Sequence, residues 1–397
     1  MKIAIDKKSF RSFKVSIFLF VVLIGCILSV AHTVAAATVP FAQPHRADTV
    51  PENNEFSSIV PASEHGTSTR VSDSSFAIAM QSAVLSGEKR FIVRYKNTNA
   101  ARQGVRALRA SERRNYTHIK TLDSIKSEVV TLSEGTDIAA AISDIQTDPQ
   151  VESVEADILY TIQGESAELI LAPASSVGTT TAAFIPNDPF YPNSWHHTII
   201  DSPTAWDLAD GTGVTIAIID TGVACSIVDL LGKCVEGFDI VNNSAISTDD
   251  DYGHGTRVAS IAAAYANNEL HGVGEAFGAS IMPIKINQPG QGIAFSSDIA
   301  NGIIWAADHG ARIVNVSFGN NSAPSNVIQN AALYLQGKGG LMFQSAGNSN
   351  VLLTYPDISS IMTISATDQT DQKASFSNYG VAVDFSAPGV GIITAGR

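Results

Sequence analysis

The chain has 397 residues, 45% of them hydrophobic, and a formal net charge of −13. That length suits two or three domains, and the apolar share supplies a packed core. The acidic balance argues against a nucleic-acid partner, and only three cysteines exclude a disulfide-dense scaffold.

Residues 1–37 read as a signal peptide. Lys2, Lys7, Lys8, Arg11 and Lys14 form a basic n-region, Val15 to Val30 an apolar h-region, and Val34-Ala35-Ala36-Ala37 a small-residue cleavage site. A single-pass anchor and lipoprotein processing at Cys26 compete with this reading. The run is short for a span, and it continues past Cys26. The expected location is secreted or cell envelope, with no stable membrane span after signal cleavage. Residues 38–87, rich in Ser, Thr, Ala and Pro without periodicity, read as a linker.

Residues 88–163 read as a small α+β domain. Phe91 to Tyr95 alternates as a strand, and Asn99 to Ser111 suits a helix basic on one side. Ser127 to Leu132 is a second clear strand. Ser133 and Thr136 are candidate N-caps for a helix of Ile138, Ala141, Ile142 and Ile145 that ends before Pro149. Val151 to Asp157 alternates again. The order βαββαβ predicts a ferredoxin-like sandwich. Residues 164–186, small and nearly neutral, form a second linker.

From Asn187 the character changes. Val214 to Ile219 is a β-branched run suited to a strand buried on both faces of a parallel sheet. Further strands are predicted at Ile281 to Ile286, Arg312 to Val316, Gly340 to Gln344 and Ile361 to Ser365. Helices fit between them at Gly255 to Ala266, Ser296 to His309 and Ser325 to Gly337. The alternation implies an α/β domain with a doubly wound, mostly parallel sheet over 187–397.

Ligands bind beyond the carboxyl ends of such strands. Asp220 follows the Val214 strand, where a carboxylate can hold a histidine's Nδ1–H and fix its tautomer. His254 stands between Gly253 and Gly255, in the first turn of a small-residue helix, and titrates in the range of a general base. Asn315-Val316-Ser317-Phe318-Gly319 ends a strand that can line a cleft. Gln344-Ser345-Ala346-Gly347-Asn348 ends another, and the Asn348 amide can donate to an oxyanion. Cys225 and Cys234 close a short loop after Asp220; a disulfide is expected there in a secreted chain, against two free buried thiols. His196, His197, His271 and His309 show no ligand spacing.

These segments resemble the subtilisin-like (subtilase) serine endopeptidases. The match lies in three ordered motifs: Ile218-Ile219-Asp220-Thr221-Gly222, His254-Gly255-Thr256 and Ser345-Ala346-Gly347-Asn348. Ser375 to Gly380 and Ala387-Pro388-Gly389-Val390 support it, and the order acid, base, nucleophile is that of subtilisin. The resemblance implies Asp220 and His254 as catalytic acid and base, Asn348 as oxyanion donor, and Ser317, Phe318 and Gly319 as substrate-binding residues. It extends to residues 88–163, similar to the family's inhibitory propeptide, and implies cleavage between about Tyr160 and Asn187. It also offers Asp229 and Asn268 as ligands of a structural Ca²⁺, against an ordinary capped loop; no cofactor is required. Polypeptide substrates, the chain's own propeptide as intramolecular inhibitor and a monomeric state are expected.

The family's nucleophile sits in a Gly-Thr-Ser motif after the Ala-Pro-Gly-Val turn, and the chain ends at Arg397 before one occurs. Gly66-Thr67-Ser68 lies in the first linker and is read as chance. The catalytic serine is expected beyond Arg397, so the chain by itself is expected to be inactive. Arg257 and Ser260 stand where the family commonly has histidine and glycine, and Arg257 is expected to find a partner among Asp249, Asp250 and Asp251. The alternative is a non-catalytic, protease-like peptide-binding protein.

Overall fold

A computed structural model describes residues 89–97, 116–162, 184–246 and 248–396. The signal peptide, the first linker, the Asn99–Ser111 helix and most of the second linker lie outside the described residues.

The first unit comprises β1 (Arg90–Tyr95), β2 (Tyr116–Leu122), β3 (Ser127–Leu132), α1 (Ile138–Gln146) and β4 (Val151–Ala156). The strands form an antiparallel sheet in the order β2-β3-β1-β4, the order of a ferredoxin-like sheet. Helix α1 is capped by Asp137, not by Ser133 or Thr136: its carboxylate accepts from Ala140 N at 3.1 Å. The Asp side chain reaches the free N–H groups of the first turn, which is what an N-cap must do.

Both faces of this sheet are buried, and by different partners. Phe91, Val93, Tyr95, Val130 and Leu132 pack with Ile142 and Ile145 of α1. Ile92 and Val129 face the other way and join the large core of the second unit. That explains why β1 shows a nearly continuous burial pattern rather than clean alternation.

The second unit follows β5 (Leu159–Thr161), α2 (Trp195–Ile199) and α3 (Ser202–Trp206). Its remaining elements are β6 (Thr215–Asp220), β7 (Phe238–Asp239), α4 (His254–Ala263), β8 (Ser280–Lys285), β9 (Ile293–Phe295), α5 (Ser296–Asp308), β10 (Ile313–Val316), α6 (Asn326–Gly337), β11 (Leu341–Ser345), β12 (Leu352–Leu353), β13 (Ile361–Thr367), β14 (Tyr379–Gly380) and β15 (Phe385–Pro388). Seven strands form one sheet in the order β15-β13-β11-β10-β6-β8-β7, every pair parallel. Two apolar clusters cover its faces, one centred on α5 and α6 and the other on α4. This is the doubly wound α/β arrangement that the strand–helix alternation predicts. The order of β10, β6 and β8 brings sequence-distant strand ends side by side at one edge.

A polar cluster lies inside this unit. His196, His197 and Glu275 are all at most 2% exposed. His197 Nδ1 lies 2.9 Å from Glu275 Oε2, which also accepts from the Ser202 hydroxyl at 3.0 Å. Trp206 Nε1 donates to the Glu275 carbonyl at 2.8 Å. The group ties α2 and α3 to the loop before β8. Burial lowers His197 to about 3, and it pushes Glu275 up to about 7 against the pull of Ser202 and His196. The contact therefore joins neutral groups and is no ion pair.

The linkage has a definite sign. The folded Glu275 carboxyl keeps its proton up to about pH 7, whereas an unfolded one loses it near about pH 4.3. Its contribution is fully present below that lower value and is lost as pH rises through the folded pKa. His196 and His197, depressed by burial, act in the opposite sense and only as pH falls below about 6.5. Glu275→Gln stays neutral and removes the first effect alone. In thermal melts of the full chain, its midpoint should climb relative to wild type as pH rises from about 4.5 to 7.5. A constant offset across that range overturns the assignment.

Candidate active site

Asp220 is the last residue of β6 and fully buried, and His254 opens α4 and is 5% exposed. His254 Nδ1 lies 2.7 Å from Asp220 Oδ1. The contact needs α4 to start almost on top of the β6 terminus. Gly253 supplies the turn, with φ of 97°. Gly255 serves a different purpose: a Cβ there would meet the Gly222 carbonyl at 2.1 Å and the Asp220 Cβ at 3.0 Å. One glycine bends the chain and the other provides clearance.

Asp250 holds the two pieces in register, a role the sequence reading missed. Its Oδ1 accepts from Thr221 Oγ1 at 2.8 Å, Gly253 N at 2.7 Å and Tyr252 N at 3.1 Å. Its Oδ2 accepts from Thr256 N at 2.8 Å and Thr256 Oγ1 at 2.6 Å. Thr221 Oγ1 in turn accepts from Gly255 N at 2.9 Å. The residue after the acid and those flanking the histidine thus share one buried carboxylate. Lys285, 5% exposed, adds a brace from β8: Nζ donates to the carbonyls of Thr221 and Asp249 at 3.3 and 3.0 Å and pairs with Asp251 at 2.9 Å. A carboxylate just upstream of the predicted Gly255 helix, four residues before its observed start at His254, is the signal that could have exposed Asp250.

Asn348 follows β11 at the same edge. Val316 pairs with Ile219 of β6 on one side and Gln344 of β11 on the other. The ends of β6, β10 and β11 are therefore consecutive, and the outer two lie about 10 Å apart at strand spacing. The loop carrying Asn348 is clamped by Asn378. Asn378 Nδ2 donates to the Ala346 carbonyl at 2.8 Å, its backbone N donates to the Gly347 carbonyl at 2.8 Å, and its Oδ1 accepts from Ser349 N at 3.1 Å and Val351 N at 2.8 Å.

Ser317, Phe318 and Gly319 play different parts. Gly319 exchanges two backbone hydrogen bonds with Thr161, each 3.1 Å. Ser317 is 6% exposed and its hydroxyl accepts from Asn315 Nδ2 at 2.9 Å. The Phe318 side chain is fully buried, in the apolar cluster of α5 and α6 that also holds Tyr160 of β5; alternation along the strand turns it inward. On the opposite side of β5, Tyr160 pairs with Ala294 and Thr161 with Ile293 of β9, and Ile162 N donates to the Gly292 carbonyl at 2.8 Å. A stretch of the chain's own backbone is laid as a strand between β9 and Gly319.

Two carboxylates fasten the first unit beside this strand. Asp157 Oδ1 accepts from Ser296 Oγ and Ser297 N, each at 2.9 Å, and Arg90 pairs with its Oδ2 at 2.8 Å. Glu155 accepts from Asn326 N at 3.0 Å and Val327 N at 2.7 Å. Each thus sits at a helix N-terminus, α5 and α6 respectively, where negative charge is favoured.

Asp229 and Asn268 do come together, but not as a cation cage. Asn268 turns its donating Nδ2 to Asp229 Oδ1 at 2.9 Å, and its own Oδ1 accepts from Leu270 N at 2.9 Å. Asp229 Oδ2 faces His271 Nδ1 at 3.0 Å. Calcium requires converging oxygens, and a ring nitrogen and an amide nitrogen occupy both carboxylate oxygens here. Among the described residues no group of three or more His, Cys, Asp or Glu could hold a metal ion. These residues do not fit the expected calcium site. Cys225 and Cys234 form a disulfide across nine positions, just beyond Asp220. Closing so short a loop stabilises by about 2–3 kcal/mol.

The chain is 40% identical over 209 residues to thermitase of Thermoactinomyces vulgaris, which spans 52% of this chain and 74% of thermitase. Residues 211–396 match the model of the subtilase family, Peptidase_S8. The chain belongs to the subtilase family. It is also 34% identical over 310 residues to a thermophilic serine proteinase of Bacillus sp. strain AK1, covering 76% of this chain and 70% of that one. Among solved structures, fervidolysin from Fervidobacterium pennivorans, described as a keratinolytic enzyme related to subtilisin, aligns with TM-score 0.64 and 25% identity. That alignment covers 78% of this subtilase and 48% of the fervidolysin chain.

Asp250→Ala should strand several buried donors at once and cost this subtilase about 3–5 kcal/mol in urea unfolding. Asp251→Asn, at a partly exposed pair, should cost only about 1 kcal/mol. Equal costs at the two positions would remove Asp250 from its central place.

Proposed function

We propose that the chain is the precursor of a secreted subtilisin-like serine endopeptidase, with residues 88–163 as its inhibitory propeptide. The single observation that carries this is the Asp220–His254 contact of 2.7 Å at the sheet edge, beside a groove holding the chain's own β5 strand. A peptide substrate would take the place of β5, pairing its backbone with β9 and Gly319. The nucleophilic serine lies beyond Arg397 in this reading. His254 Nε2 accepts the serine proton during attack on the peptide carbonyl and returns it to the leaving amine. Asp220 holds Nδ1–H, fixes the tautomer and stabilises the imidazolium. Asn348 donates to the oxyanion.

The propeptide role is supported by the interface itself. The first unit buries Ile92 and Val129 against the second unit, spends Glu155 and Asp157 on two helix N-termini and runs straight into the groove. Occupying the groove and organising α5 and α6 are then one act. Cleavage between about Tyr160 and Asn187 would release it. Secretion is supported by the basic and apolar N-terminal segments. Among the described residues no helix is long and apolar enough to cross a membrane.

The protein expressed from its complete gene should be labelled by a fluorophosphonate and should digest casein. His254→Ala should lower kcat on the order of a million-fold, and Asp220→Asn about 10⁴-fold. A folded product that neither labels nor cleaves would favour a peptide-binding protein and sink the endopeptidase reading.

A further inference from the structure

Tyr160 is the residue of β5 that the fold encloses most completely. It is fully buried, in the same apolar cluster as Ala294, Phe318, Val327 and Ile328. Its phenol oxygen accepts a hydrogen bond from Ser325 N at 3.1 Å. Ser325 is the N-cap of α6 and is 7% exposed, and its hydroxyl has no hydrogen-bond partner. Neighbouring Asn326 N and Val327 N are taken by Glu155, so the Ser325 N–H is the donor left for the ring. The pocket is thus apolar along its walls and polar at one point of its floor. That point meets the one atom by which tyrosine differs from phenylalanine.

We propose that the pocket holding Tyr160 is a tyrosine-selecting subsite of the substrate groove, read by the Ser325 N–H. This rests on the endopeptidase reading and names its substrate class: extended polypeptides carrying tyrosine in the register that pairs with Ala294, one residue before the one bridged to Gly319. Apolar walls alone discriminate weakly between large side chains. A buried donor does more, because a ring without the oxygen leaves it unpaired. Leucine or phenylalanine in this pocket keeps the apolar contact and forfeits the polar one. The same logic makes Tyr160 a specific anchor of the proposed propeptide.

The test compares peptides copying residues 157–166 with Tyr, Phe or Leu at position 160, cleaved by the protein from its complete gene. The Tyr peptide should exceed the Phe peptide in kcat/KM by about tenfold or more. Phe cleaved as well as or better than Tyr overturns the proposal. Ser325→Pro deletes the N–H at a position whose φ of −58° proline accepts. Within that variant the Tyr/Phe ratio should fall towards one, and an unchanged ratio also overturns the proposal. Should Ser325→Pro not fold, the wild-type ratio decides. If no peptide is cleaved, casein and fluorophosphonate decide the endopeptidase reading, and the pocket is judged by hydrogen exchange on the full chain. Tyr160→Phe should then speed exchange of the Ser325 amide by about tenfold or more; an unchanged rate counts against the subsite.

Discussion

The short contact between His254 Nδ1 and Asp220 Oδ1 is the constraint around which the second unit is arranged. A strand terminus and a helix start can approach this closely only if nothing stands between them. Gly255 removes the side chain that would collide with the Gly222 carbonyl. Asp250 then fastens both partners through a single buried carboxylate, and Lys285 braces the same corner from β8. An imidazole fixed in this way has one ring nitrogen committed to its orienter. Rotamer freedom that a surface histidine keeps has been surrendered to the fold.

The junction of the two units follows a second economy. Helices α5 and α6 expose free N–H groups at their starts, and buried carboxylates are costly without partners. Glu155 and Asp157 satisfy both needs at once. Each supplies acceptors to a helix start, and each gains hydrogen bonds that offset its desolvation. For Glu155 the offset is partial, since burial still pushes it up to about 7. Arg90 stacks on Phe295 and pairs with Asp157, closing the remaining charge. Because β4 leads directly into β5, the elements that anchor the first unit also aim the following residues into the groove.

Sequence patterns revealed different features to different degrees. The parallel strands were visible as mostly apolar runs, since strands buried on both faces carry few polar residues. Their ends fell within a residue or two of prediction. Asp220 moved from just after β6 to its last position. Phe318 was legible as part of a strand end, but not as a core residue, because the direction of a side chain depends on the phase of the pleat. The Asp229–Asn268 pairing was legible as proximity. That it forms a hydrogen-bonded cluster with His271, and not a cation cage, depends on which amide atom faces the carboxylate.

The amino-acid sequence by itself determined the doubly wound domain, the strands β1, β3 and β4 and the helix α1 of the unit before it, and the choice of Asp220, His254 and Asn348 as the residues to watch. Those follow from periodicity and from short motifs whose chemistry is local. Only the tertiary structure decided that Asp250 and Asn378 hold those residues in place, that β5 lies between β9 and Gly319, and that Tyr160 is matched to Ser325. Each of these joins groups far apart in the chain. Whether such groups meet depends on strand order and helix docking, which no local pattern of side chains encodes.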